Sequence, residues 1–194
     1  MREPWRSAMG YEGAAERLAA AVPEAHMRVV RRMIDTGTNT VMTSSCGRLF
    51  DAVAALADVR YEVNYEGQAA IELEALAETG CEARYGFEIA GEELDFRPMM
   101  REIVRGGESA AVISARFHNT LAAAIVETCS VIRRETGLDR VCLSGGTFQN
   151  MTLLGLTVRG LRAAGFPVYL HRAVPPNDGG LALGQAMVAA TRLG

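Results

Sequence analysis

Ser144-Gly145-Gly146 is the stretch best suited to chemistry in this sequence. It follows the apolar run Val141 to Leu143, which reads as a short buried strand. A helix-period segment comes next, with Leu153, Leu154, Val158 and Leu161 along one side. Strand, Gly-Gly turn and helix let backbone N–H groups approach a phosphate, because glycine has no Cβ and a helix N-terminus favours negative charge. The same pattern also suits a tight turn with no ligand. A second Gly-Gly stretch, Val174 to Ala186, follows another predicted strand, Phe166 to His171. Two parallel strands would deliver both loops to one sheet edge, where open α/β sheets bind ligands. The first loop suits phosphates, and the second adds the carboxylate of Asp178.

Three further groups carry side chains of chemical interest. Arg48 and Asp51 share a helix face three residues apart. Arg48 reaching into a cleft is one reading; a surface ion pair worth under about 1 kcal/mol is the simpler one. Gly67, with Ala69 and Ala70, opens a helix where a ligand or another backbone can come close. Glu66, Glu72 and Glu74 are candidate contacts there, although glutamates near helix starts are ordinary dipole partners. His118 sits beside Phe117 in a long helix, the usual setting of a packed histidine.

The elements that must position these groups follow from period and punctuation. Pro4 to Ala21 is predicted as one helix, broken at Pro23, and Glu24 to Ile34 as a second. Thr43-Ser44-Ser45 supplies hydroxyl caps for a helix from Cys46 to Leu56. The Gly67 helix should end near Gly80 as a C-cap. Tyr85 to Ala90 and Leu94 to Phe96 read as a hairpin across Gly91-Glu92-Glu93. A short helix from Arg97 to about Arg105 precedes a long one, capped by Ser109, reaching about Thr136 with Gly137 as terminator. The Ala-rich segment Leu181 to Leu193 should pack on the sheet. Residues 1–137 are thus mainly helical with a hairpin, and residues 138–194 form a βαβα unit: an α/β lobe with a small sheet.

Composition sets the outer bounds. The chain has 194 residues, is 49% hydrophobic and has a formal net charge of -3, enough for one domain or one large lobe with a real core. No Lys/Arg cluster interleaved with aromatics marks a nucleic-acid surface. No apolar run is long enough for a membrane span, and no signal-peptide pattern opens the chain. Cys46, Cys81, Cys129 and Cys142 are widely spaced, as expected of reduced, mostly buried thiols in the cytoplasm. His26, His118 and His171 show no metal-binding spacing.

Read together, several stretches resemble one known family. They are Arg2-Glu-Pro-Trp-Arg6, Thr43-Ser-Ser-Cys-Gly-Arg-Leu-Phe-Asp-Ala-Val-Ala-Ala-Leu56, Tyr65-Glu-Gly-Gln-Ala-Ala70, Phe117-His118, Ser144-Gly-Gly-Thr-Phe-Gln-Asn150 and Val174-Pro-Pro-Asn-Asp-Gly-Gly-Leu-Ala-Leu-Gly-Gln185. In this order, from one end of the chain to the other, they resemble the C-terminal part of the hydrogenase-maturation carbamoyltransferase (HypF) family. The resemblance implies a fold: the second lobe of a TsaD-like ATPase domain of the actin/Hsp70/sugar-kinase (ASKHA) class, in which two lobes enclose a nucleotide. It also implies a chemistry. A separate domain of the whole enzyme makes carbamoyl-adenylate from carbamoyl phosphate and ATP. The TsaD-like domain then passes the carbamoyl group to the C-terminal cysteine of HypE, on the way to the cyanide ligand of [NiFe]-hydrogenase.

By the same resemblance, Gly145 and Gly146 would lie against the nucleotide phosphates, and Asn150 would contact ribose or base. Glu72, in the segment opened by Gly67, would contact the adenosine, and Asp178 would bind a divalent metal (Zn, Fe or Mg). These roles suit a mixed anhydride, which needs its phosphate charge neutralised and its leaving AMP held. The family's His-rich metal motif is absent, and so are its acylphosphatase-like, zinc-finger and adenylate-forming domains. The chain is therefore expected to be a fragment, inactive alone, with the missing domains and a HypE-type acceptor as partners and an exposed apolar face open to homodimerisation. An O-carbamoyltransferase acting on a hydroxyl acceptor is the near alternative within this fold. A non-catalytic lobe that binds nucleotide or a partner protein is the other.

Overall fold

The computed structural model describes residues 3–193; Arg2 of the opening motif lies outside the described residues. The chain divides into two compact units, Met1–Leu121 and Ala122–Gly194, and the division falls inside the longest helix.

The first unit is built on α4 (Cys46–Leu56), whose residues from Leu49 to Leu56 are all buried. A helix that is apolar on every side is stable only when surrounded. Around it lie α1 (Trp5–Ala8), α2 (Ala14–Leu18), α5 (Gln68–Ala75) and α6 (Arg97–Arg105). The single opening helix expected from Pro4 to Ala21 is split: α1 stops at Ala8, and α2 restarts after Gly13, which takes the left-handed conformation at φ 78° as its N-cap. Helix α3 (Glu24–Thr36) runs two residues further than its period suggested and stops at Gly37, φ 66°. Ser45 occupies the N-cap position of α4, but its side chain makes no capping bond. Helix α5 ends at Ala75, short of Gly80.

Strand β1 (Glu88–Ala90) pairs antiparallel with β2 (Glu93–Asp95), turning at Gly91. Tyr85 was expected in the strand but lies before it. Its ring is buried and its N–H donates to Thr120 Oγ1 at 2.8 Å on α7 (Ala110–Thr136). Arg116 stacks on the Tyr85 ring at 3.8 Å and joins Glu102 and Glu108, tying this loop to the helix.

The second unit places β3 (Val141–Leu143) parallel to β4 (Val168–Leu170), with Val141 opposite Val168 and Leu143 opposite Leu170. Helix α8 (Met151–Ala163) connects them and begins only after a 3-10 turn over Gly146–Gln149. The core is Leu143, Leu161 and Phe166, extended by Val126 and Cys129 of α7. Gly160 allows α8 to lie close on α7, since a Cβ there would stand 2.8 Å from the Val126 side chain. Helix α9 (Leu181–Leu193) was expected to pack on the sheet, but it buries no residue: Leu181 is 59% and Met187 58% exposed. Two three-residue strands offer little face to bury two helices, and α8 already covers the Leu143 side. Cys142 and Tyr169, paired across the strands, are exposed. The expected burial of the thiols also fails: Cys46, Cys81 and Cys129 are half-buried.

Candidate functional site

The second unit carries an open cleft of about 870 Å³ at the C-terminal ends of its two strands. Ser144, Gly145, His171 and Asp178 line one end, and Gln185 and Arg192 of α9 line the wall. The two loops read from the sequence as neighbours are neighbours. The Gly145 N–H donates to Pro176 O at 2.8 Å, and Ser144 Oγ lies 2.8 Å from His171 Nε2.

The glycines of the two loops have different reasons to be glycine, and of the four only Gly145 and Gly180 line the cleft. Gly145 sits at φ 101°, ψ 157°, a region other residues hardly enter. A Cβ on Gly146 would meet only Gln149 Oε1, at 3.9 Å, so its surroundings leave room at the turn. Gly179 and Gly180 are fixed by their own loop. A Cβ on Gly180 would stand 2.7 Å from Pro175 O, and one on Gly179 3.0 Å from the Pro175 ring. Asn177 Oδ1 accepts from the Gly179 N–H at 3.1 Å and completes that turn.

Asp178 lines the cleft, but among the described residues no group of three His, Cys, Asp or Glu side chains is placed to hold a metal ion. Asn150 is buried and its Oδ1 accepts from the Leu153 N–H at 2.7 Å, so it is the N-cap of α8. The sequence signal for this cap is an Asn placed directly before a helical run.

Gly67 and Glu72 lie in the first unit. Gly67 opens α5 at φ 79° with free space where a Cβ would be. Glu72 accepts two bonds from Arg60, at 2.7 and 2.6 Å, and one from Gln68 Nε2 at 2.8 Å. Those bonds, Arg60's above all, hold its carboxyl below the usual range. Gln68 Oε1 in turn accepts from the Asn64 N–H at 2.8 Å. Glu66 is exposed and outside this network. Arg60 has no spacing relation to Glu72 that a sequence pattern would reveal.

The Arg48–Asp51 pair forms at 2.9 Å, but it is not the surface pair expected. Asp51 is 7% exposed, and burial pushes its carboxyl pKa up against the opposing pull of Arg48. His118 is fully buried between Phe50 and Phe117, its Nδ1 2.7 Å from Ser114 O. Desolvation holds its pKa below the ordinary histidine value.

Comparison with known proteins gives one consistent result. Residues 1–185 match the family described as carbamoyltransferase, Kae1-like domain, second subdomain. The carbamoyltransferase HypF of Rhizobium leguminosarum bv. viciae is 39% identical over 193 residues, covering 97% of this chain and 25% of that protein. HypF of Synechocystis sp. is 39% identical over 152 residues, covering 75% of this chain and 19% of its own length. Two solved structures agree: full-length HypF in the phosphate- and nucleotide-bound form (TM-score 0.90, 39% identity, all of this chain, 27% of that one) and HypF of T. kodakarensis (TM-score 0.87, 29% identity, 99% and 28%). The chain thus spans about a quarter of the length of such relatives. The expected α/β fold of the second lobe of a TsaD-like, ASKHA-type domain stands. This chain belongs to the HypF carbamoyltransferase family and corresponds to the second subdomain of its Kae1-like domain.

Proposed function

We propose that this chain is the nucleotide-facing lobe of a HypF-type carbamoyltransferase, acting in the cytoplasm. Its substrate is carbamoyl-adenylate formed from ATP and carbamoyl phosphate, and its acceptor is the C-terminal cysteine thiol of a HypE-type protein in hydrogenase maturation. The observation that carries this reading is the meeting of the Ser144-Gly145-Gly146 turn and the Asp178 loop in one cleft. A relative of the same fold described as phosphate- and nucleotide-bound supports it.

In this reading Ser144 and Gly145, which line the cleft, receive the phosphate, and Gly146 follows them in the turn. Gly67 and Glu72 take the adenosine side, Glu72 being kept ionised by Arg60 and ready to accept from a hydroxyl. Asn150 contributes first as the cap that fixes the start of α8 and only then as a ribose or base contact. Asp178 supplies one oxygen ligand to a divalent metal (Zn, Fe or Mg) whose other ligands come from elsewhere in the enzyme. The remaining domains of a HypF-type protein are its partners, and α9, bare of packing, is a surface for them or for a second copy.

The test is turnover. Incubated alone with Mg-ATP and carbamoyl phosphate, this chain is expected to release no AMP. Supplied together with the domains found in full-length relatives, it should support transfer of the carbamoyl group to a HypE-type thiol. Steady, carbamoyl-phosphate-dependent conversion of ATP to AMP by this chain alone would overturn its place as one part of a larger enzyme.

A further inference from the structure

We infer that His171 is a positioning residue that sets the Ser144 hydroxyl toward a phosphate-bearing ligand in the cleft, an inference that rests on the nucleotide reading above. The two side chains come from the ends of adjacent parallel strands and meet at 2.8 Å. Both line the cleft, and both are exposed. An exposed pair of this kind adds little to stability, and the loops it spans are already joined by the Gly145 N–H to Pro176 O bond. The pair is thus redundant for the fold and well placed for a ligand.

The chemistry selects one arrangement. A serine hydroxyl has one proton to give and lone pairs to receive with, and a neutral imidazole either donates or accepts at Nε2. If Nε2 accepts, the Ser144 proton is committed to His171 and only lone pairs face the cleft, which repel an anion. If Nε2 carries the proton, His171 donates to Ser144 Oγ and the hydroxyl proton is free for a phosphate oxygen. A chain of two donors, each polarising the next, then points at the ligand. An anion in the cleft favours the second state.

Two experiments decide it. By calorimetric titration with Mg-ATP, His171→Ala is expected to weaken binding about tenfold, the size of one good hydrogen bond to a charged group. His171→Gln, whose amide also donates from the Nε2 position, should recover most of that loss. Ser144→Ala should weaken binding alike, and adding His171→Ala to it should cost no more, since the two act as one unit. Unchanged affinity in His171→Ala, no recovery by Gln, or additive losses would overturn the inference. The second experiment needs no nucleotide and stands if the wild type binds none, a result that would count against the nucleotide reading. In a Cys142→Ala background, needed because Cys142 is exposed, the thiol of Ser144→Cys is alkylated with iodoacetamide and followed by peptide mass spectrometry. An adjacent imidazole should raise its reactivity about tenfold over the same variant carrying His171→Ala. Equal rates would show that His171 does not address position 144 and would sink the inference.

Discussion

His118 ties the stability of the first unit to pH. Its imidazole is fully buried and its pKa is lowered, so the folded state prefers it neutral. The unfolded chain titrates it near pH 6.5. Its contribution is therefore complete above about pH 6.5 and drains away as pH falls from there through the lower folded pKa. Asp51 has the opposite sign: its raised pKa costs stability once pH exceeds the carboxylate range, so it does not imitate this loss. Urea unfolding at pH 7 and pH 5 should show the wild type losing stability, and His118→Gln losing less between the same two values. An equal drop in both would place the acid lability elsewhere. That this histidine is packed was legible from its place beside Phe117 in an apolar helix. Its wedge between Phe50 and Phe117 was not, because Phe50 comes from a helix far away in sequence.

At the scale of elements, long-period signals were read well and short ones poorly. Helix α7 ends where Gly137, at φ 76°, stops it, and α3 ends at Gly37 for the same reason. The strands expected over Tyr85–Ala90 and Phe166–His171 shrank to three residues each, while Val141–Leu143 formed as read; the opening helix broke in two, because tertiary contacts override a few residues of pattern. Helix α8 shows a cap at work. Removing the Asn150 side chain with Asn150→Ala frees the Leu153 N–H and should cost about 1 kcal/mol, read as a lower denaturant midpoint. Asn150→Asp, which still accepts, should lose much less. Helices α8 and α9 should also respond in opposite ways to truncation. Leu161→Ala empties a fully buried position and should cost about 2–5 kcal/mol. Met187→Ser, on exposed α9, should stay within about 0.5 kcal/mol of wild type. Similar losses at both would mean that α9 is packed in this chain after all. The apolar sequence of α9 correctly signalled a helix, but the expected packing on the sheet fails because two three-residue strands offer too little face for it.

At the scale of the whole molecule, the α/β class and the family came from motifs spread over the full chain, and the comparisons bear both out. The candidate site was only half legible. The two Gly-Gly loops meet in one cleft as their strands suggested, but His171 joins Ser144 there through a pairing that no local spacing encodes, and in the first unit the same is true of Arg60 and Glu72. With about a quarter of a HypF-type chain present, the central claim is that this quarter holds the phosphate half of a nucleotide site. Calorimetric titration of Mg-ATP into the purified chain and into Gly146→Val tests it most directly. A Cβ at that position meets only Gln149 Oε1, at 3.9 Å, so the bulkier side chain is expected to leave the fold intact while crowding the turn beside Gly145. Saturable binding by the wild type, lost in a variant with an unchanged unfolding midpoint, is the expected result. Binding that survives Gly146→Val, or no binding by the wild type, would contradict the claim that the Ser144-Gly145-Gly146 turn is a phosphate cradle in this chain.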